Sequence, residues 1–376
     1  MRRYVYVSDT LRMVWLEHHV GGGFIFAPRA RRRYGMLRVA HLGLEGKPPP
    51  FASISSPPTS VDVQRTPPKE LQRSPNEGLG GCTTPAVGAV AICLFGLFRG
   101  TKKSMPQYRR NVYEPLLAHY GSIDVFVHAM VQEKVSAHAR GQEARPRRLP
   151  NVLTEIGQLA PCRYTAEDQA TVDEKLARHL PRRMHNYDAS QIRNLYRAKY
   201  SLSAVADILV AYERQAKQRY RTVLVVRPDT LVLTPVVPLP PSAAEVAEHG
   251  IVVPEFMTWG GVNDRFALGS RGPMVTTYMR QYDLAYTRRE VLRGKGRYAI
   301  NTEGVLCKLL ADANVTTASA RMCIVRVRTN NDCNKLDRQL LARDQSRDAA
   351  MCQGLSHTFE STPQPACNEL EMSICK

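Results

Sequence analysis

Three short stretches of this 376-residue chain put chemically able side chains next to residues that fix backbone direction: Gly96–Gly100 (GLFRG), Arg227–Asp229 (RPD) and Trp259–Phe266 (WGGVNDRF). Ligands of open α/β sheets bind beyond the carboxyl ends of the strands, so polar residues in such places carry the most weight. Asp229 follows the apolar run Thr222–Val226 directly, and Pro228 stiffens the turn while removing one backbone donor. A carboxylate held there suits a Mg²⁺ or Mn²⁺ ion, a Lewis acid that neutralises a departing diphosphate. It equally suits an ordinary Asx turn that closes a strand.

The stretch Trp259–Phe266 combines more. Gly260 and Gly261 permit close backbone approach, and Asn263, Asp264 and Arg265 follow at once. Asp264 has the type and setting of a general base that takes a proton from a hydroxyl. Trp259 suits packing on a sugar face. Pairing of Arg265 with Asp264, which would only lock the loop, is the structural alternative. Arg99, between two glycines, suits a phosphate contact or a plain surface position. Glu303 reads as a first-turn acidic residue that complements a helix dipole, and His128 as a hydrogen-bonded core histidine.

The elements that must position these groups alternate between strand and helix periods, the pattern of an α/β sheet with crossover helices. Strands are expected at Val87–Phe95, Ile123–His128, Gln158–Tyr164, Thr222–Val226, Ile251–Val253, Phe266–Leu268 and Met322–Val327. Helices are expected at Asn111–Tyr120, Thr165–Leu180 with Thr165 as N-cap, Ser190–Gln218, Gly272–Tyr282 and Thr302–Ala313. In the longest, Ile192, Leu195, Tyr196, Leu202, Val205, Leu209 and Tyr212 form an apolar face, with Arg193, Arg197 and Lys199 on the other side.

The flanks differ in composition. Residues 1–85, with Lys47–Asn76 rich in proline and serine, cannot bury enough apolar area to offset their ordering entropy and are expected to be disordered. Residues 86–329 form the folded domain, and 330–376 a polar, cysteine-containing tail; Ser136–Pro150 reads as an exposed loop. The net charge of +18 favours anionic partners, but its arginine runs lack interleaved aromatics, which leaves specific nucleic-acid binding without a motif. None of the nine cysteines has CxxC spacing, which argues against a zinc-thiolate site. Cys93, Cys307 and Cys323 read as buried thiols, and Cys333, Cys352, Cys367 and Cys375 would suit disulfides in a secretory compartment. The longest apolar run, Ala86–Phe98, is shorter than the ~20 residues a membrane span requires. The arginine-bearing N-terminus lacks a continuous apolar h-region, leaving an organellar presequence and a misplaced start as readings.

Taken together, AICLFGLFRG, IDVFVH, SQIRNLYR with the following Tyr212-Glu213, TVLVVRPD and GGVNDRFALG resemble, in order, a plant and algal glycosyltransferase-like family related in pattern to GT-A nucleotide-sugar transferases. The resemblance covers about Ala89 to Arg328. It implies a Rossmann-like GT-A domain, a three-layer α/β/α arrangement on a mostly parallel sheet, a nucleotide-sugar donor, a glycan or glycoprotein acceptor, and a Golgi location. On it, Asp229 resembles the last aspartate of a DxD metal motif whose first position is here Arg227. Gly260–Asp264 is similar to the acidic loop that carries the base of several inverting enzymes. Gln191 and Tyr196 match helix positions of the family, as donor contacts or as packing. Asn314-Val315-Thr316 is an N-glycosylation acceptor sequence, as lumenal proteins carry. The same resemblance permits a catalytically inactive module that binds an acidic glycan or another anion.

Overall fold

A computed structural model describes residues 3–6, 13–18, 24–26, 82, 89–99, 101–135, 147–149, 151–181, 187–238, 250–255, 261–287, 302–320, 322–328, 333, 334, 337, 357 and 358. Trp259, Gly260, the proline-rich segment and most of the Ser136–Pro150 loop lie outside them. The chain divides into two compact units, Met1–Arg65 and Thr66–Lys376. In the first, β1 (Arg3–Tyr6), β2 (Met13–His18) and β3 (Phe24–Phe26) pair antiparallel, with Tyr4 opposite Trp15 and Leu16 opposite Phe26. The sequence reading expects no regular structure there, yet these segments are rich in the aromatic and β-branched residues that favour strands.

The second unit is built on one sheet. Its strands are β4 (Val90–Leu97), β5 (Ile123–Val131), β8 (Arg163–Asp168), β9 (Thr222–Val226), β11 (Gly250–Pro254), β12 (Phe266–Ser270), β13 (Thr316–Ala320) and β15 (His357–Thr358), in the order β15-β13-β11-β12-β9-β4-β5-β8. Every neighbouring pair is parallel except those of β12, which runs against both β9 and β11. Two smaller ladders join β6 (Lys134–Val135) to β7 (Arg147–Arg148) and β10 (Thr230–Val232) to β14 (Ile324–Arg326).

Period-two alternation along β4 sends its side chains into two separate cores. Val90, Ile92 and Leu94 pack with Met105, Tyr108, Val112 and Leu116 of α1 (Thr101–Tyr108), a π-helical turn and α2 (Glu114–Tyr120), and with Val152 and Ile156 of α3 (Val152–Gln158). Ala91, Cys93 and Phe95 face Leu202, Val205 and Leu209 of α5 (Ala189–Ala216), Met274 and Tyr278 of a helical stretch at 271–286, and Leu306 of α6 (Thr302–Asp312). Strands buried on both faces need helices on both, and the result is a Rossmann-like three-layer α/β/α domain, the architecture expected. Each wholly buried Val or Leu contributes about 1.5–3 kcal/mol.

Several boundaries differ from expectation. Residues 165–168, expected to start a helix, instead continue the strand Arg163–Asp168, because the edge of β5 pairs Phe126 with Arg163 through Val131 with Asp168. Helix α4 (Gln169–Ala177) starts only afterwards, capped by Asp168, whose side chain accepts from Ala170 N at 2.8 Å. The first helix begins ten residues early, at Thr101; Pro106 removes one helical donor, and a π turn follows at Arg109–Tyr113. Cys307 and Cys323 are disulfide-bonded, not free, as is Cys333, and Cys82 is joined to Cys162. Cys93 is a buried free thiol. Among the described residues, no helix is long and apolar enough to cross a membrane.

Candidate functional site

The reversed direction of β12 within the main sheet explains why the chemically able stretches meet. β4 and β9 run parallel, so Arg99 and Asp229 leave the sheet at the same rim. β12 runs the other way, so the residues before it, Gly261–Arg265, arrive at that rim instead of the opposite one. The backbone joins them directly: Arg227 N donates to Arg265 O at 3.3 Å, extending the ladder that pairs Val226 with Phe266. The β10–β14 ladder adds a further segment, setting Thr230 opposite Arg326 and letting Val327 N donate to Asp229 O at 2.7 Å.

Asp229 is buried to 1% exposure and clasped by two guanidinium groups. Arg227 donates Nε to Oδ1 and Nη2 to Oδ2, both at 2.9 Å, and Arg99 donates Nε and Nη2 to Oδ2 at 3.3 and 3.1 Å. Burial opposes its charge, but Arg227 and then Arg99 outweigh that and hold the carboxyl far below the usual carboxylate range. The turn itself is fixed from α1: Tyr108 donates to Arg227 O at 2.5 Å and Ser104 to Pro228 O at 3.2 Å. Asp229 is therefore a poor fit to the divalent ion expected of it. A metal ligand must present lone pairs in a setting of net negative charge, whereas both oxygens here accept from arginines that already exceed the carboxylate in charge.

Asp264 pairs with a residue of α5, Lys199. Lys199 donates to its Oδ2 at 2.8 Å and Thr302, at the start of α6, at 2.9 Å. Burial raises its pKa, but Lys199 first, then Arg265 and these hydrogen bonds, keep it well below normal. Lys199 does not lie on the solvent side of α5; it is 1% exposed and faces the rim. A signal for this was present, since 195, 199 and 202 recur at the four- and three-residue steps of one helical face. Beside the pair, Glu303 is buried, and burial together with the Asp264 charge pushes its pKa up to about 7.

Asn263 accepts from Arg265 N at 3.0 Å through Oδ1, an Asx turn that shapes the loop. Gly261 touches the start of α6: a Cβ there would lie 2.1 Å from the Glu303 carbonyl carbon. Gly261→Ala is expected to destabilise the domain by roughly 1–3 kcal/mol through overpacking; an unchanged urea midpoint would mean the loop is not pressed against α6. Gln191 completes the N-terminal capping box of α5, accepting from Asp188 N at 3.1 Å. Tyr196 is buried in the core, its ring edge-on to Tyr286 at 5.2 Å. Neither is brought to Asp229 or Asp264 by a described contact. His128 is the core histidine expected, between Ser201 Oγ at 2.7 Å and Glu167 Oε1 at 3.2 Å. Its Ser–His–Glu connectivity resembles a hydrolytic triad, but Ser201 is fully buried and donates to His128 O, so it offers no nucleophile.

Arg326 and Arg328 were not singled out from sequence, since a lone arginine after a weak strand carries no pattern. Arg326 is paired to Asp337 through Nε at 2.8 Å and Nη2 at 2.5 Å. Arg328 is 6% exposed, and its buried Nε–H has no hydrogen-bond partner among the described residues.

These features define a Rossmann-like α/β/α domain with an ionic, arginine-rich rim at the carboxyl ends of its parallel strands. No protein-family model matches the chain, and no curated protein matches its sequence. Among solved structures it is similar to the apo form of mouse Xyloside xylosyltransferase 1, at 10% identity over 60% of this chain and 82% of that one, with a TM-score of 0.30. It is also similar to a nucleoside-diphosphate-sugar pyrophosphorylase from Vibrio cholerae RC9, at 10% identity over 61% of this chain and 90% of that one, with a TM-score of 0.29. The fold rests on this chain's own strand order and register.

Proposed function

We propose that the protein is a glycosyltransferase that moves a sugar from a nucleoside-diphosphate donor to a hydroxyl of a glycan or glycoprotein. One observation carries this reading: Arg99, the Arg227–Asp229 turn and Asp264, far apart in sequence, meet at the rim where open α/β sheets take their ligands. The cations suit the donor diphosphate. Both described contacts to Asp264 fall on Oδ2, so Oδ1 is the oxygen left to orient and deprotonate an acceptor hydroxyl. Its low pKa makes it a weak base, and Glu303, whose pKa is pushed up to about 7, is the neighbouring group whose ionised form takes the proton onward. In this reading Trp259 and Gly260 complete the acceptor side of the loop. The disulfide between Cys82 and Cys162 and the bonded states of Cys307, Cys323 and Cys333 support a secretory, Golgi-type location. Exposure of Asn314 in a turn before β13 agrees with it.

The test is a panel of UDP- and GDP-sugars assayed for release of nucleoside diphosphate and for transfer to mixed glycan acceptors. One donor is expected to be turned over, and Asp264→Asn to slow transfer ~10²-fold or more with donor affinity kept within a few-fold. Absence of both turnover and thermal protection by every donor would end the proposal. A second reading, an inactive module that binds an acidic glycan or other anion, is favoured by the clasping of Asp229; it requires binding without turnover.

A further inference from the structure

Among the described residues, one guanidinium at the rim keeps a buried donor that nothing accepts. The pairs Arg227–Asp229, Lys199–Asp264 and Arg326–Asp337 each cancel. Arg99 bonds to the carboxylate that Arg227 also holds, and Arg328 has a buried Nε–H that no described group accepts. Glu303 adds only part of a negative charge at neutrality, because burial and the Asp264 charge push its pKa up to about 7. A guanidinium nine-tenths out of water with an orphan donor is costly. Such a group persists where something else supplies the acceptor.

Its place shows what that acceptor must be. Val327 N bonds to Asp229 O, so Arg328 follows immediately on the strand that runs beside the Arg227–Asp229 turn. Burial, then repulsion from Arg326 and Arg99, loosens its hold on its proton, down to about 9, while Asp229 and Asp337 pull the other way. Arg328 thus sits in the field of Arg99 and Asp229 together. The side chains of Arg99 and Arg227 remain 12% and 28% exposed, which leaves the cluster reachable from solvent. Planar forks with parallel N–H donors match the oxygens of phosphate bidentately, and two adjacent phosphoryl groups offer enough acceptors and charge to occupy more than one fork.

We propose that Arg99, Arg227 and Arg328 form a diphosphate-binding cradle that works without a divalent cation, with Asp229 serving to hold two of the arginines in place. The inference rests on the glycosyltransferase reading only for the identity of the donor; the ligand class itself, a diphosphate, follows from the cradle. Arg328 is then a binding residue, and Asp229 a positioning residue.

The experiment is calorimetric titration of the full-length protein with inorganic pyrophosphate, UDP and GDP, each in EDTA and in Mn²⁺, with sulfate at equal ionic strength as control. Pyrophosphate and one nucleoside diphosphate are expected to bind in EDTA, to compete with each other, and to gain less than about threefold from Mn²⁺, whereas sulfate binds at least ~10-fold more weakly. Arg328→Met is expected to weaken pyrophosphate at least ~10-fold while leaving the ligand-free melting temperature equal or higher, because it removes a buried cation with an unmet donor. Arg328→Lys should recover only part of the affinity, since a point charge lacks the fork. Lys308→Ala, at an exposed pair on α6, should change nothing. Binding that appears only with Mn²⁺ would overturn the cradle and leave the glycosyltransferase reading intact. A lowered melting temperature in Arg328→Met with unchanged pyrophosphate affinity, or equal binding of sulfate, would also overturn it. Pyrophosphate binding in EDTA with no response to any nucleotide sugar would support the cradle and remove the glycosyltransferase.

Discussion

Asp229→Asn is expected to lower the stability of the domain by about 3 kcal/mol or more at neutral pH, because it leaves two guanidinium groups facing each other without their shared carboxylate. Arg227→Met should cost less, since Arg99 still pairs with Asp229 in that variant. The acid limb gives an independent check. A carboxyl whose folded pKa is depressed contributes stability that is present above its unfolded value, near ~4, and lost as pH falls toward the folded value. The wild-type domain should therefore lose stability below about pH 4 with a slope that Asp229→Asn removes in part. Urea midpoints read across pH 2.5–7.5, ~0.5 unit apart, measure both effects. A variant with wild-type midpoints but no donor turnover would assign Asp229 to chemistry and dissolve the clasp.

Lys199→Met should cost about 3–5 kcal/mol at neutral pH. The lysine is 1% exposed and is the direct partner of Asp264. Without it, Asp264 and Glu303 remain as two buried carboxyls whose charges raise one another's pKa. The sign of the pH dependence follows. Groups whose folded pKa is raised are most favourable below their unfolded value, near ~4.3, and lose that contribution as pH rises. The deficit of Lys199→Met against wild type should accordingly be largest above neutrality and shrink toward pH ~5. Adding Glu303→Gln removes one of the two charges and should flatten the profile. A deficit that grows on acidification would mean that Lys199 is paired with something other than Asp264.

Local pattern carried a good part of this. Four of the five residues of Thr222–Val226 are aliphatic and all but Leu224 are β-branched, so the run reads as a buried strand, and Asp229 must then sit just past its end. The glycines before Asp264 signal close approach, and Gly261 does meet the backbone of Glu303. What local pattern misjudged was partnership. Lys199 reads as one of several cations along α5, although of Arg193, Arg197 and Lys199 it is Lys199 that bonds to Asp264. Thr165 looked like a helix cap because a strand at a sheet edge is selected by its neighbour β5, which lies more than thirty residues earlier. Arg326 and Arg328 had no periodicity to mark them, since their importance comes from the β10–β14 ladder that carries them to Asp229.

The sequence by itself determined the α/β alternation, the two-faced burial of β4 and β9, and which carboxylates end near strand termini, because hydrophobic period and turn chemistry act over a few residues. Only the tertiary structure decided that Asp229 is bound by arginines, that Asp264 belongs to Lys199, and that an arginine donor is left over at the rim. Those outcomes depend on the reversed direction of β12 and on pairings across more than sixty residues of chain, and charges so far apart in sequence acquire partners only when the sheet brings them within a few ångströms.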